Sequence, residues 1–312
     1  MITRSSFIIY LLFHITLVFG QGIDIDYAYN DDKSIDFSYT KDVPGSYSVY
    51  IEFTKSDNTT DASGWYPLPY RSGRLFTLKP FDTNSYIRIA YRTRIVRGIL
   101  DPKVDNTFTY LLPFDNHVKT KVNFLRNLGK KYFGQVNPEN WKAFQFYSDK
   151  PDTVCASRKG IVVKVTKQHD MDTTQYYSYS SRKNQLTIEH ADGTFARYEG
   201  LNGNQIFVEA GDWVIPGQPL GVLSPYDKKG NYQLRFAIFY LLDANTDFES
   251  NTSLKERKCQ NKYLNPYFMT SIGKTQLTAK TEYTSTISEA IIIKEMSKKE
   301  RKKRQKALRL CQ

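Results

Sequence analysis

Short runs of alternating apolar and polar positions recur through the first third of the chain. Ile35-Asp-Phe-Ser-Tyr, Tyr47-Ser-Val-Tyr-Ile-Glu-Phe, Leu75-Phe-Thr-Leu and Tyr86-Ile-Arg-Ile-Ala-Tyr alternate or run apolar over strand length. Turn formers separate them at Val43-Pro-Gly, Ser56-Asp-Asn and Arg71-Ser-Gly-Arg. A period of two points every second side chain at a core, so these runs predict β-strands. Several short strands at this spacing predict an immunoglobulin-like β-sandwich over residues 21–112. The likeness is one of architecture, because no cysteine pair stands in that segment.

The pattern changes after residue 112. Over 118–132 the apolar positions Val122, Leu125 and Leu128 fall at helical spacing among basic residues, predicting a short helix in a connector, 113–140. A second β domain follows over 141–270. Ala143-Phe-Gln-Phe-Tyr alternates, and Thr153-Val-Cys-Ala-Ser-Arg-Lys-Gly-Ile-Val-Val reads as strand, turn and strand. Residues 167–183 are rich in Asp, Thr, Ser and Tyr and read as a long hairpin tip, either solvated or a tyrosine-lined contact surface. Three further β-type runs, at 186–201, 206–223 and 232–239, are divided by Gly-centred turns. In the extension 271–312, one helix is predicted over 288–310 with Ser288 as N-cap. The fold class expected is therefore all-β, with a basic C-terminal helix.

Composition refines this picture in three places. Aromatics make up 14% of the chain, with 23 Tyr and 19 Phe, which favours strands. The formal net charge is +12, but 294–312 alone holds nine Lys/Arg against two Glu. The basic balance thus describes mainly a tail, and no nucleic-acid-binding domain is inferred from it. That tail reads as a solvated helix or as a contact for an anionic surface such as lipid or cell-wall polymer. Residues 1–20 have the form of a cleaved signal peptide: Arg4, an apolar stretch from Phe7 to Phe19, and a cut before Gln21. That stretch, at about 13 residues, is short for a membrane span of about 20. A secreted or periplasmic, envelope-associated protein is expected. Of the cysteines, Cys155 lies in an apolar strand pattern and reads as buried, while Cys259 and Cys311 are the pair to try for a disulfide.

At Ile188-Glu-His-Ala-Asp-Gly and Tyr198-Glu-Gly-Leu, followed by the Gly-Asp and Gly-Gln turns of 208–221 and by Gln233-Leu-Arg-Phe, the chain resembles the LytM/lysostaphin-type zinc metallopeptidases. The resemblance covers about 141–270 and implies the duplicated-hybrid-motif β fold, a catalytic zinc and peptidoglycan as substrate. In that family a strand of the form Ile-x-His-x-Asp-Gly leads to Tyr-x-His-Leu, and the last strand carries His-x-His. Its zinc ligands are a His, an Asp and the second His of that pair.

Position by position, that machinery is replaced. The Asp position falls at Gln145 and the last His position at Arg235; the two assisting histidines fall at Gly200 and Gln233. Gln brings no charge to a zinc ion, and a guanidinium stays protonated and repels it. Of the histidines outside 1–20, His117, His169 and His190, none has ligand spacing. His190 reads as a hydrogen-bonded strand residue. No Gly-x-Ser-x-Gly elbow or phosphate loop occurs, Cys155 has no His partner in view, and the acid pairs Asp149/Asp152 and Asp170/Asp172 read as turn residues. No catalytic residue and no cofactor are therefore expected, zinc included. The expected function is a non-catalytic, exported pseudoenzyme of this peptidase family. It would bind peptidoglycan or a peptide, or regulate a cell-wall hydrolase, through a groove floor of Gln145, Gln233, Arg235 and Tyr198. The alternatives are an active zinc endopeptidase with non-standard ligands and a structural envelope adaptor.

Overall fold

The computed structural model describes residues 22–125, 141–167, 184–227, 230–244 and 260–310. Residues 1–20, the tyrosine-rich 168–183, His169, Cys259, Cys311 and the Asp170/Asp172 pair lie outside them. The fold is built almost wholly of strands. The first six are β1 (Ile23–Tyr29), β2 (Ile35–Lys41), β3 (Tyr47–Asp57), β4 (Gly64–Leu68), β5 (Ser72–Leu78) and β6 (Arg88–Arg97). They form two three-stranded sheets, β1-β2-β5 and β4-β3-β6. Alternate residues from both sheets meet in one core of Ile35, Phe37, Val49, Ile51, Leu68 and Ile87, giving the sandwich that the period-two pattern predicts. Phe37 is its centre, with the rings of Tyr27, Phe53, Phe76 and Tyr91 at 4.7–5.6 Å.

The second group of strands reaches beyond 141–270 on both sides. It contains β7 (Thr109–Leu111), β8 (Lys119–Phe124), β9 (Phe144–Ser148), β10 (Thr153–Cys155), β11 (Gly160–Thr166), β12 (Gln185–Glu189) and β13 (Phe195–Glu199). It continues through β14 (Leu201–Ile206), β15 (Trp213–Val214), β16 (Pro219–Leu223), β17 (Tyr232–Asp243), β18 (Gln260–Tyr263), β19 (Tyr267–Thr270), β20 (Gly273–Thr275) and β21 (Glu282–Thr284). Two helices close it, α1 (Glu289–Lys294) and α2 (Lys298–Leu310). A nine-stranded sheet runs β15-β11-β12-β13-β17-β9-β8-β21, with β18 also paired to β17. The smaller sheet β10-β16-β14 shares its core, which is supplied by Phe144, Phe146, Val162, Ile188, Tyr198, Leu220, Leu234 and Phe236. Phe108, Tyr110, Leu112 and Phe114 join that core from one side of the expected boundaries, and Phe268, Leu277 and Tyr283 from the other.

Two expectations about helices are corrected. Residues 119–124 form strand β8, antiparallel to β9 and β21, and not the first half of a helix. Thr120 and Val122 are buried while Lys119 and Lys121 face solvent, so the segment alternates with period two and its β-branched residues fit a sheet. The C-terminal helix is two helices. Ser288 holds the N-cap position of α1 but its side chain makes no capping bond. The functioning cap is Ser297: its Oγ accepts from the Glu300 N–H at 3.3 Å while the Glu300 carboxylate accepts from the Ser297 N–H at 2.7 Å. This reciprocal pair is a capping box, legible in Ser297-Lys-Lys-Glu300, and it starts α2 afresh.

The sandwich is fastened to the outer face of the large sheet. Glu189 is buried there and accepts from both the N–H (2.7 Å) and the hydroxyl of Ser46. Arg97 donates to the Val163 carbonyl at 2.8 Å, and the Asp101 N–H to the Leu241 carbonyl at 2.8 Å. The turn that makes this contact needs Gly45, which has φ +85° and approaches so closely that a Cβ would lie 2.4 Å from Val163 and 2.5 Å from Glu189. No helix among the described residues is long and apolar enough to cross a membrane.

Candidate functional site

Strand β17 organises the outer face of the large sheet. Its alternate residues Leu234, Phe236 and Ile238 enter the core. Gln233, Arg235, Ala237 and Phe239 therefore point the other way. In register across the sheet, Glu199 on β13, Arg235 on β17, Gln145 on β9 and Asn123 on β8 lie side by side. The next row on this face is Gln233 opposite Tyr147, and Tyr147 stands opposite Lys121. Gln145, Gln233 and Arg235, far apart in sequence, thus form one polar floor.

Tyr198 does not belong to it. It pairs with Phe236, is fully buried in the core, and its hydroxyl accepts the Ser157 N–H at 3.0 Å. It is one residue from Glu199, and a shift of one residue along a strand changes the face. Burial pushes its phenol well above the ordinary range, so it stays neutral.

The surroundings of the floor were not visible in the sequence. Arg197 pairs with Glu199 at 3.3 Å, leaving two guanidinium groups, Arg197 and Arg235, around one floor carboxylate. On the side of Ala237, the rings of Trp141 and Tyr263 meet at a tilt of 57° with centroids 4.6 Å apart and pack with Ala143, Leu125 and Phe239 into an apolar wall. On the other side Tyr147 and Tyr226 meet edge-on at 6.5 Å. Burial raises the Tyr147 phenol, with Asn123 and Arg235 opposing that shift. Gln233 is buried, and its Nε2 has no hydrogen-bond partner. It is a donor held at the floor, and a buried unpaired donor is costly.

Gly200, the position of an assisting histidine in the resemblance, has φ +105° and faces backbone: a Cβ there would lie 2.4 Å from the Gln233 carbonyl oxygen. The chain turns here from β13 of the large sheet into β14 of the small one. No side chain fits this path without moving β17.

Zinc, which the resemblance implies, does not fit these residues. The positions in question offer an uncharged amide at Gln145 and a cation at Arg235. Among the described residues no three His, Cys, Asp or Glu side chains converge as a metal site. His117 sits in an exposed turn at φ 64°, with Nε2 3.0 Å from the Asn116 amide. His190 is buried away from the floor, against Tyr110, and its Nδ1 meets the Lys159 carbonyl at 2.9 Å. Burial, and then the charge of Arg158, push its pKa down to about 3. At neutral pH it is a neutral imidazole that donates from Nδ1. Burial pushes the Cys155 thiol up to about 12, so it carries no thiolate reactivity at neutral pH.

Comparison with solved structures finds an M23 metalloprotease, Pseudoalterin from the deep sea, at 15% identity, covering 51% of this chain and 98% of that one, TM-score 0.29. A zinc-containing peptidase from Vibrio cholerae has 15% identity over 70% of this chain and 75% of its own, TM-score 0.29. The SpoIIQ–SpoIIIAH pore-forming complex has 23% identity over 43% and 85%, TM-score 0.28. Superpositions this loose assign neither family nor activity to the chain. No family model and no curated protein matches it.

Proposed function

We propose that the protein is a non-catalytic, exported envelope protein with a LytM-type scaffold, and that its outer sheet face binds a carboxylate-bearing peptide such as a peptidoglycan stem. The observation that carries this reading is the register pair Gln145–Arg235 beside Gln233, whose buried Nε2 has no partner. Together they offer amide and guanidinium donors where peptide hydrolysis would need metal ligands and a water-activating base. Arg binds a carboxylate bidentately, and the apolar wall of Trp141 and Tyr263 would pack the peptide's side chains. Export rests on the form of residues 1–20, and the peptidoglycan assignment on the sequence resemblance.

The test is retention on insoluble peptidoglycan by wild type, Arg235→Gln and Gln233→Ala, with zinc measured in the same preparations. Losing a charge-assisted hydrogen bond of about 1.5–3 kcal/mol predicts at least a tenfold fall in retention for Arg235→Gln. Unchanged retention in both variants would overturn the binding site. Stoichiometric zinc together with peptide cleavage would overturn the non-catalytic reading.

A further inference from the structure

Among the described residues, helix α2 stands on the body of the protein by one face. Ser297 and Glu300 form its cap, Glu300 accepts from Lys159 at 2.8 Å, Arg304 pairs with Glu289 at 2.8 Å, and Arg301 donates to the Met296 carbonyl at 3.0 Å. Lys159 and its neighbour Arg158 hold Glu295 just before the cap. At about 100° per residue, positions 297, 300, 301 and 304 share one side of the helix. The opposite side carries Lys298, Lys299, Lys302, Lys303, Lys306 and Arg309, all exposed.

That exposed side is locally unfavourable. Lys298/Lys302, Lys299/Lys303 and Lys302/Lys306 are like charges four residues apart, an arrangement that destabilises a helix. Both acidic residues of the tail are on other duty: Glu295 faces Arg158, and Glu300 faces Lys159 and the cap. The acids at 295 and 300 thus face the body, while among the described residues the cations of the opposite side face solvent without an acidic partner. Along the axis, Lys299, Lys302, Lys306 and Arg309 follow one another at about 4.5–6 Å.

We infer that this face of α2 is a binding surface for a linear phosphate polymer. A chain of closely spaced anions can follow the stripe and release its condensed counterions. Lysine supplies compact point charges, which pair with successive phosphates without a fixed fork geometry. A bilayer is a poor match. The segment 298–306, which carries five of the six cations of the stripe, contains no apolar residue to bury among acyl chains.

The experiment titrates the full chain with inorganic polyphosphate, polyglutamate and vesicles of phosphatidylcholine with phosphatidylglycerol, at several salt concentrations. The variant carries Lys298→Gln, Lys299→Gln, Lys302→Gln, Lys303→Gln and Lys306→Gln, which spare every docking contact. A matched control neutralises five exposed lysines elsewhere: Lys55, Lys79, Lys103, Lys274 and Lys280. Wild type and control should bind polyphosphate most tightly. The helix variant should bind at least tenfold more weakly at ~0.1 M salt, with a salt slope smaller by roughly three or more, at about 0.7 per lost contact. An equal loss in the control, no loss in the helix variant, or polyglutamate or vesicles bound as tightly as polyphosphate would overturn the inference. Circular dichroism of both variants checks that the fold is retained.

Discussion

Replacing Arg158 with Met should be among the most destabilising single changes in the second domain. The residue sits in the turn between β10 and β11, yet it is only 2% exposed. Its guanidinium donates to Asp192 at 2.8 Å, to Glu295 at 2.7 Å and to the Tyr110 hydroxyl at 3.0 Å, and lies 3.8 Å from the centre of the Phe108 ring. Methionine fills the volume but leaves two carboxylates without their cation. Breaking a buried pair from one side costs about 3–5 kcal/mol. Asp192 and Glu295 remain 11% and 18% exposed, so water recovers part of that. The expected loss is therefore about 3 kcal/mol, the low end of that range. Glu295→Gln keeps one acceptor oxygen and leaves Asp192 to balance the guanidinium, so its cost should be about 1–2 kcal/mol. Because both changes act on one cluster, the double variant should cost at least about 1 kcal/mol less than the sum. Urea unfolding followed by tryptophan fluorescence in a Trp65→Phe background isolates the second domain, where Trp141 and Trp213 reside. A loss below about 1 kcal/mol for Arg158→Met, or strict additivity in the double variant, would refute the assignment of this cluster as the anchor of the C-terminal helices.

Two further outcomes follow from buried groups. Gly200→Ala should lower stability by about 3 kcal/mol or more, combining an unfavourable positive φ with an overlap against the Gln233 carbonyl, and Gly200→His should be no better; a thermal melt unchanged within 2 °C would contradict this. His190 has a folded pKa near 3, below its unfolded value of about 6.5, so the unfolded chain binds the extra proton between those values and acidification destabilises the fold. The contribution is at most about 1.4 kcal/mol per pH unit. In wild type the urea midpoint should fall between pH 6.5 and 4 more steeply than in His190→Gln, and parallel curves would show that the imidazole is not held neutral.

The strands were legible in the sequence because their signal is local. Alternation in Tyr47-Ser-Val-Tyr-Ile-Glu-Phe and the turn at Val43-Pro-Gly specify β3 and its entry without knowledge of any partner. The same logic, applied with the wrong period, turned β8 into a helix: Val122 and Leu125 satisfy helical spacing, while Thr120 and Val122 satisfy a strand's. Only pairing with Phe146 and Tyr147 on β9 decides between them. The floor was legible as a set of residue types but not as a surface. Gln145 and Arg235 become neighbours through the register of β9 on β17, and Tyr198 leaves the set because its strand position faces inward. Arg158 and Glu189 escaped notice for a related reason. Each is a charged residue in an ordinary context whose partners, Glu295 and Ser46, are more than a hundred residues away.

The two long-range anchors also explain why the outer face keeps a defined floor. Glu189 and Phe195 lie in register on β12 and β13, followed by Phe239 on β17, and the sandwich covers this end of the sheet through Ser46, Gly98 and Asp101. Two residues along β17 from Phe239 comes Ala237 under the Trp141–Tyr263 wall, and two further comes Arg235. Each step is one pleat, about 7 Å along the strand. The polar floor is thus bounded by apolar packing on the side of the sandwich and by the Tyr147–Tyr226 pair on the other. Arg235 and Gln145 are only partly buried, so water reaches the floor between its two aromatic boundaries. A guanidinium between packed aromatic groups keeps its charge at every accessible pH and is fixed in direction by its strand. Those are the properties that the proposed recognition of a carboxylate would use.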